Sequence, residues 1–213
     1  IKQALSGNEE AMSTHADHYT TNRAYGVAAY SKGEVLVEQL GAIIGEKMRN
    51  EGMKEYFKVW AFKHPGPTDF KRVMERTSGI ELDWYFDYFV NTTHTIDYAI
   101  SSVVTNKKGS TITLEKVGIM PMPQDVKVTF KDGTSSSYHI PLVIMRGNRK
   151  MNKGEILAED WPWTNPTYTL EIPTLGKRIS KITLDPLLLQ ADVNRENNEV
   201  EFKSIGKQNF ERE

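Results

Sequence analysis

The stretch Tyr25-Gly-Val-Ala-Ala-Tyr-Ser-Lys-Gly33 decides how the first half of the chain folds. Behind it, apolar residues recur at the spacing of one helical face, namely Leu36, Leu40, Ile43, Ile44 and Met48. Ser31 is a residue type that caps helices, so we expect a helix to begin there, with Tyr30 at its start. A phenol held firmly at such a position can donate a hydrogen bond to an oxyanion that develops on a carbonyl.

Three further helices are expected before residue 95. One follows a break at Asn50-Glu-Gly52 and carries Met53, Tyr56, Phe57 and Trp60; the next is capped by Thr68 and ends at Gly79; the last carries Leu82, Tyr85, Phe86 and Phe89. Each set repeats at three- and four-residue spacing, and turn-forming residues separate the sets. This pattern predicts an antiparallel helical array.

From Asp97 onward the apolar period drops to two. Strands are predicted around Tyr98/Ile100, Ile112/Leu114, Val126/Val128/Phe130, Tyr138/Ile140/Leu142, Tyr168/Leu170/Ile172 and Ile182/Leu184, with turns at Asn106-Lys-Lys-Gly109, Lys131-Asp-Gly133, Arg146-Gly-Asn148 and Leu175-Gly176. The sequence therefore predicts an α+β protein with a helical part over residues 1–94, a β-sandwich over 95–193 and a polar tail over 194–213. In that tail Val200, Phe202, Ile205 and Phe210 are too sparse to define an element.

Composition excludes several classes of function. The chain carries 27 basic and 28 acidic residues for a net charge of −1, which argues against nucleic acid or an anionic membrane as its main partner. No apolar run reaches the ~20 residues that a membrane span needs. The absence of cysteine excludes disulfides and thiolate chemistry and fits the cytoplasm, the periplasm or a bacterial exterior equally well. Because the chain opens at Ile1 without an initiator methionine or a signal peptide, we expect it to be a piece of a larger protein.

The first stretch and the order of the later motifs resemble the aminopeptidase N family of zinc metallopeptidases, the gluzincins, in its bacterial form. The two tyrosines match its Tyr-x-x-x-x-Tyr-x-Lys-Gly segment, and Ser78-Gly-Ile-Glu-Leu-Asp-Trp84 matches its Ser-Gly-x-x-Leu-x-Trp-Phe, with Tyr85 where Phe is more usual. The resemblance extends to about residue 198 through Trp60-Ala-Phe-Lys-His-Pro65, Thr68-Asp-Phe70, Ile96-Asp-Tyr98, Gly118-Ile-Met-Pro-Met-Pro123, Phe130-Lys-Asp-Gly133, Trp161-Pro-Trp-Thr-Asn-Pro166 and Ala191-Asp-Val-Asn-Arg-Glu-Asn-Asn198.

The resemblance implies the end of a thermolysin-like catalytic domain followed by a small β-sandwich. In the family, zinc is held by the two histidines of H-E-x-x-H and a later glutamate, and the glutamate of the motif is the general base. No H-E-x-x-H occurs in this chain, so zinc would be bound by the upstream catalytic region of the same polypeptide, and the substrate would be a peptide. Tyr30 matches the tyrosine that stabilises the tetrahedral intermediate, and Tyr25 matches an earlier tyrosine of the same pocket.

Other candidate residues have simpler interpretations. His15-Ala-Asp17-His18 would place two histidines on one side of a helical turn, but no third ligand sits at suitable spacing, so a polar loop is the favoured interpretation. His64, His94 and His139 are isolated and are expected to be structural or exposed. The acidic pairs Glu9-Glu10 and Glu159-Asp160 are typical of solvated surface. Trp161 and Trp163 are expected to close an edge of the sandwich core rather than to bind a ligand.

Two classes of function remain open for this sequence. The chain is either the C-terminal part of a zinc aminopeptidase, inactive by itself, or a binding or scaffold module that has the same fold without chemistry. In the second case Tyr30 only packs.

Overall fold

The computed structural model of the chain describes residues 1–106, 109–173, 177–202 and 209–212. The predicted turns at 106–109 and 175–176 and the residue Ile205 therefore lie wholly or partly outside the described residues. The chain divides into two compact units. The first comprises residues 1–95, 143–150 and 189–191, and the second comprises residues 96–142, 151–188 and 192–213.

The first unit is helical. Its α-helices are α1 (Lys2–Leu5), α2 (Asn22–Gly26), α3 (Lys32–Ile44), α4 (Glu46–Trp60), α5 (Pro67–Ser78) and α6 (Asp83–Asn91), and a π-helical turn at Val27–Ser31 connects α2 to α3. Neighbouring helices α3 and α4, and α4 and α5, pack against each other. The predicted faces of α3 and α6 are buried, with Leu40, Ile43 and Tyr85 fully enclosed.

The break between α3 and α4 lies at Gly45, not at Asn50-Glu-Gly52 as the sequence indicated. Gly45 adopts φ +86°, a conformation that side-chain-bearing residues rarely take, so it ends one helix and begins the next. Gly52 lies inside α4, where a Cβ would stand 2.5 Å from the sulfur of Met74 on α5. That glycine therefore permits close helix packing instead of breaking the helix.

The predicted stripe on α4 is only partly buried within the first unit. Tyr56 packs edge-on against Phe70 of α5 at a ring-centroid distance of 5.0 Å. Met53 and Phe57, in contrast, are exposed. The helical spacing of these residues located the helix correctly but did not identify its buried face.

The second unit contains two sheets. Its strands are β1 (Tyr98–Thr105), β2 (Ser110–Lys116), β3 (Gln124–Phe130), β4 (Ser135–Ile140), β5 (Glu155–Leu157), β6 (Thr167–Ile172), β7 (Ile179–Leu184), β8 (Glu199–Glu201) and β9 (Phe210–Glu211). One sheet has the order β6-β2-β1-β9 and the other has the order β5-β4-β3-β7-β8. All pairs of neighbouring strands are antiparallel except β4 and β5. With helices before sheets, the chain is an α+β protein, as predicted.

The six strands that period-two alternation predicted are all present, and the predicted hairpin at Phe130–Thr134 joins β3 to β4. Gly133 takes φ +83° in that turn, and the Phe130 N–H donates to the Thr134 carbonyl at 2.8 Å. The interpretation of residues 194–213 as a tail without an element is wrong where the structure describes it. Val200 is buried in β8, and Phe210 lies in β9. These strands have two or three residues, too few for alternation to be recognised. Among the described residues, no helix is both long enough and apolar enough to cross a bilayer.

Candidate functional site

Tyr30 lies in the middle of a long helical segment, not at the start of a helix as expected. The Thr21 hydroxyl accepts the Ala24 N–H at 3.0 Å and caps the segment at its true start. From there, helical backbone continues through α2, the π turn and α3, so Ser31 is not an N-cap. The sequence pattern missed this start because no apolar stripe marks α2.

Tyr30 belongs to the π-helical turn. Such turns are rare, and they occur frequently at functional sites. The Tyr30 side chain is 73% exposed, and in the described part of the chain its hydroxyl has no hydrogen-bond partner. Because α2 and α3 flank the π turn, the backbone of Tyr30 is held in place while its O–H group stays exposed to solvent. A phenol of this kind can donate to an oxygen that becomes negatively charged.

Tyr25 lies five residues before Tyr30, on α2, and is 40% exposed. Its ring packs edge-on against Tyr19 at a centroid distance of 5.5 Å. The Tyr19 hydroxyl donates to the Ala11 carbonyl at 2.9 Å, and burial, together with the charge of Glu10, raises the pKa of Tyr19. The Tyr25 ring therefore packs against the ring of Tyr19, which is neutral and held in place by its own hydrogen bond. No ring contact joins Tyr25 to Tyr30 within the described residues.

Lys32 of the sequence motif points into the unit and forms an enclosed ion pair. Its Nζ lies 2.5 Å from Oε1 of Glu9, and the two side chains are 13% and 10% exposed. The same ammonium lies 5.1 Å from the centroid of the Phe89 ring on α6. The prediction that Glu9-Glu10 is solvated surface is therefore wrong. Two adjacent acidic residues in a loop carry no periodicity, so nothing in the sequence indicated that one of them is enclosed.

The histidine cluster forms no ligand set. His15, Asp17 and His18 lie in an exposed 3-10 turn in which the His15 ring accepts the Asp17 N–H at 3.3 Å. Within the described residues, one group of three side chains, Glu75, Glu81 and Asp83, brings acidic or histidine ligand atoms within 4.8 Å of one another. Glu75 already accepts the Leu82 N–H, and Asp83 pairs with Lys71. An all-carboxylate group of this kind does not match the histidine-rich set of a zinc peptidase.

Tyr85, the departure from the family pattern, has a structural explanation. Its hydroxyl donates to the Leu36 carbonyl at 2.9 Å and accepts from Nε2 of Gln39 at 3.2 Å. Oε1 of Gln39 in turn accepts the Ala191 N–H at 2.6 Å. Burial raises the pKa of Tyr85, which therefore stays neutral. The additional oxygen is accommodated because α3 supplies both of its partners.

Among the remaining candidates, His139 and Trp161 form hydrogen bonds or close polar contacts within the protein. Nδ1 of the buried His139 lies 2.6 Å from Asp125 on the neighbouring strand, whereas His64 and His94 are exposed. Trp161 is buried, and its indole N–H donates to the Asn165 carbonyl at 3.1 Å. These contacts agree with structural roles for His139 and Trp161.

In a comparison with known protein families, residues 2–89 match the model of the peptidase family M1 domain. Among solved structures, the chain is similar to aminopeptidase A from Legionella pneumophila, determined in complex with aspartic acid. That match has a TM-score of 0.58 at 14% sequence identity, and it covers 83% of this chain and 19% of the other. The chain thus spans about a fifth of the length of that enzyme. A search of the curated proteins found no match.

Proposed function

We propose, on the premise that residues 2–89 are part of a peptidase family M1 domain, that this chain is the C-terminal part of a zinc metallopeptidase, most simply an aminopeptidase. In this proposal the helical unit supplies one wall of the active-site cleft, and the two sheets form a β-sandwich that follows it in the chain. The chain is inactive by itself, because the zinc ligands and the general base lie in the upstream region of the same polypeptide.

The observation that carries the proposal is the position of Tyr30. Within the matched segment, its exposed hydroxyl lies on a π turn and has no partner among the described residues. A tyrosine that only packed would be buried or hydrogen-bonded, as Tyr85 and Tyr98 are. Exposure of a polar group on rigid backbone fits a residue whose partner is a substrate.

Tyr30 acts in this proposal by donating its O–H to the oxygen of the scissile carbonyl as that oxygen gains charge. The bond is stronger in the transition state than with the neutral carbonyl, so it accelerates the reaction instead of only tightening binding. Zinc bound by the upstream region supplies the activated water. Tyr25, supported by Tyr19, lines the same pocket and orients the substrate.

The intact polypeptide tests the proposal. The coding sequence upstream of Ile1 is read for H-E-x-x-H with a glutamate about one helix later, and the whole protein is expressed and assayed with aminoacyl anilides and with N-blocked peptides. We expect one bound zinc and chelator-sensitive release of N-terminal residues. A degenerate motif together with absent hydrolysis would contradict the proposal and favour a binding or scaffold module.

A further inference from the structure

Glu9 and Glu10, which the sequence predicted to be solvated surface, contact both ends of the segment that carries the two tyrosines. Glu10 accepts hydrogen bonds from the backbone N–H of Thr20, at 3.0 Å, and from the Thr20 hydroxyl. Glu9 pairs with Lys32. Thr20 precedes Tyr25, and Lys32 follows Tyr30. Two adjacent side chains therefore contact the chain on both sides of the tyrosines, at Thr20 just before α2 and at Lys32 just after the π turn.

The segment that carries these glutamates is itself anchored. The Ser13 N–H donates to the Val90 carbonyl at the end of α6, at 3.1 Å, and the Ala11 carbonyl accepts the Tyr19 hydroxyl. Lys32 is held from a second side by the Phe89 ring, also on α6. Contacts with α6 on both sides of the Lys32–Glu9 pair therefore fix the position of the π turn relative to that helix.

An enclosed ion pair is a poor source of stability, because desolvation of the two charges offsets most of their attraction. What such a pair can supply is a unique arrangement, since removal of either partner leaves an unpaired charge inside the protein. The hydrogen bonds of a π turn span one residue more than those of an α-helix, and Tyr30 would face a different direction if the turn relaxed to α-helix. Contacts that favour the π turn over a continuous α-helix would therefore fix the direction in which Tyr30 points.

We infer that Glu9 and Glu10 act as a clamp that holds the π turn in register and thereby aims Tyr30. The inference deepens the proposed function and rests on it for the part that concerns catalysis. Glu9, Glu10 and Lys32 are positioning residues in this account, since they contact the helix and not the reacting atoms.

The first test uses the chain itself. Backbone amide exchange at residues 27–31 is compared among the parent, Glu9→Gln, Glu10→Gln and Lys32→Arg. We expect Glu9→Gln to accelerate exchange there by about ten-fold or more, because the buried ammonium loses its partner, with little change in β2 and β3. Lys32→Arg keeps the charge, the ion pair and the contact with the Phe89 ring, and it should exchange like the parent. Glu55→Gln, which breaks the exposed pair with Lys58 on α4, is the matched control.

If Glu9→Gln does not fold, the double variant Glu9→Gln/Lys32→Met removes the pair without leaving a buried charge and takes its place. Unchanged exchange at residues 27–31 in Glu10→Gln and in whichever Glu9 variant folds would overturn the clamp. Acceleration spread evenly over the whole helical unit would also overturn it, because the glutamates would then only stabilise the fold.

The second test uses the intact enzyme. Glu9→Gln should lower kcat per bound zinc about ten-fold with KM nearly unchanged, and Lys32→Arg should retain activity. A normal kcat in Glu9→Gln, in an enzyme that Tyr30→Phe does impair, would contradict the aiming role. Normal turnover in Tyr30→Phe would instead contradict the proposed function, and the exchange experiment would still decide whether the clamp fixes the turn.

Discussion

The hydroxyl of Tyr30 is the smallest group on which the proposed function depends. In the intact enzyme, Tyr30→Phe should lower kcat by ~10²–10³ and leave KM nearly unchanged, because a bond to the oxyanion acts in the transition state. Folding should hardly change, since the exposed ring is kept. Steady-state kinetics and melting curves on both proteins measure the effect. Near-normal turnover would mean that Tyr30 stabilises no oxyanion.

Tyr25→Phe is the matched comparison for that experiment. The Tyr25 ring stays packed against Tyr19 after the change, so only the hydroxyl is lost. We expect a smaller fall in kcat than for Tyr30→Phe, because the role proposed for Tyr25 is only to orient the substrate. An equal or larger fall would exchange the roles of the two tyrosines.

Residue types alone foretold some sites and not others. Glu159 and Asp160 are exposed, as their polar surroundings predicted, whereas Glu9, with equally polar neighbours, is enclosed by Lys32. The difference arises from contacts between residues far apart in the sequence or on different elements. Residue spacing predicts which side chains of an amphipathic helix or strand are buried. It does not predict which side chain of a loop is buried by contact with another element.

At the scale of a helix, the two glycines Gly33 and Gly52 make a matched pair. A Cβ at Gly52 would stand 2.5 Å from the Met74 sulfur, whereas a Cβ at Gly33 would meet nothing within 4 Å. Gly52→Ala should therefore lower the free energy of unfolding by about 1–3 kcal/mol through overpacking. Gly33→Ala should raise it by up to ~1 kcal/mol through helix propensity. Urea denaturation of both variants measures this, and a stabilised Gly52→Ala would show that Met74 moves aside freely.

At the scale of a hairpin, the β3–β4 turn should make stability depend on acid. The Thr134 hydroxyl and backbone N–H, and then Lys177 at 3.0 Å, lower the pKa of Asp132 to about 2. A lowered pKa favours the folded state above the unfolded value near 4, and this contribution is lost as the pH falls toward 2. Asp132→Asn should flatten that acid limb, which urea unfolding between pH 2 and 6 would measure.

Thr134→Val is the control for the hairpin, because it removes the hydroxyl donor and keeps the carboxylate. It should weaken the pH dependence without abolishing it, since the backbone N–H of Thr134 still donates at 2.9 Å. A pH profile for Asp132→Asn identical to that of the parent would exclude Asp132 as a source of the acid dependence.

Elements with a long amphipathic pattern were predictable, and irregular ones were not. The stripe from Leu36 to Ile44 and the alternation in β3 each repeat often enough to identify a helix or a strand. The π turn and the three-residue strand β5 do not repeat, and tertiary contacts define them. A glycine inside a helical pattern was also ambiguous, since Gly45 breaks a helix and Gly52 permits packing.

At the scale of the whole chain, we expect no tight zinc binding and no peptide hydrolysis. The sequence lacks H-E-x-x-H, and His15 and His18 lie in an exposed turn without a third ligand at suitable spacing. Metal analysis after gel filtration in excess zinc, with a peptide hydrolysis assay, provides the test. A stoichiometric, chelator-resistant zinc would contradict the expectation and direct attention to the histidine turn or to the Glu75, Glu81 and Asp83 carboxylates.

The predicted boundary near residue 95 can be tested by a chain that ends at Thr95. The first unit also includes residues 143–150 and 189–191, so the truncation removes part of it. The Ala191 N–H would no longer reach the buried Gln39, and the Glu81 N–H would lose the Met145 carbonyl. Each lost hydrogen bond contributes about 0.5–1.5 kcal/mol net, so amides of α3 and α6 should exchange faster in the truncated chain than in the full chain. Equal protection would show that residues 1–95 fold by themselves and that the returning segments contribute nothing.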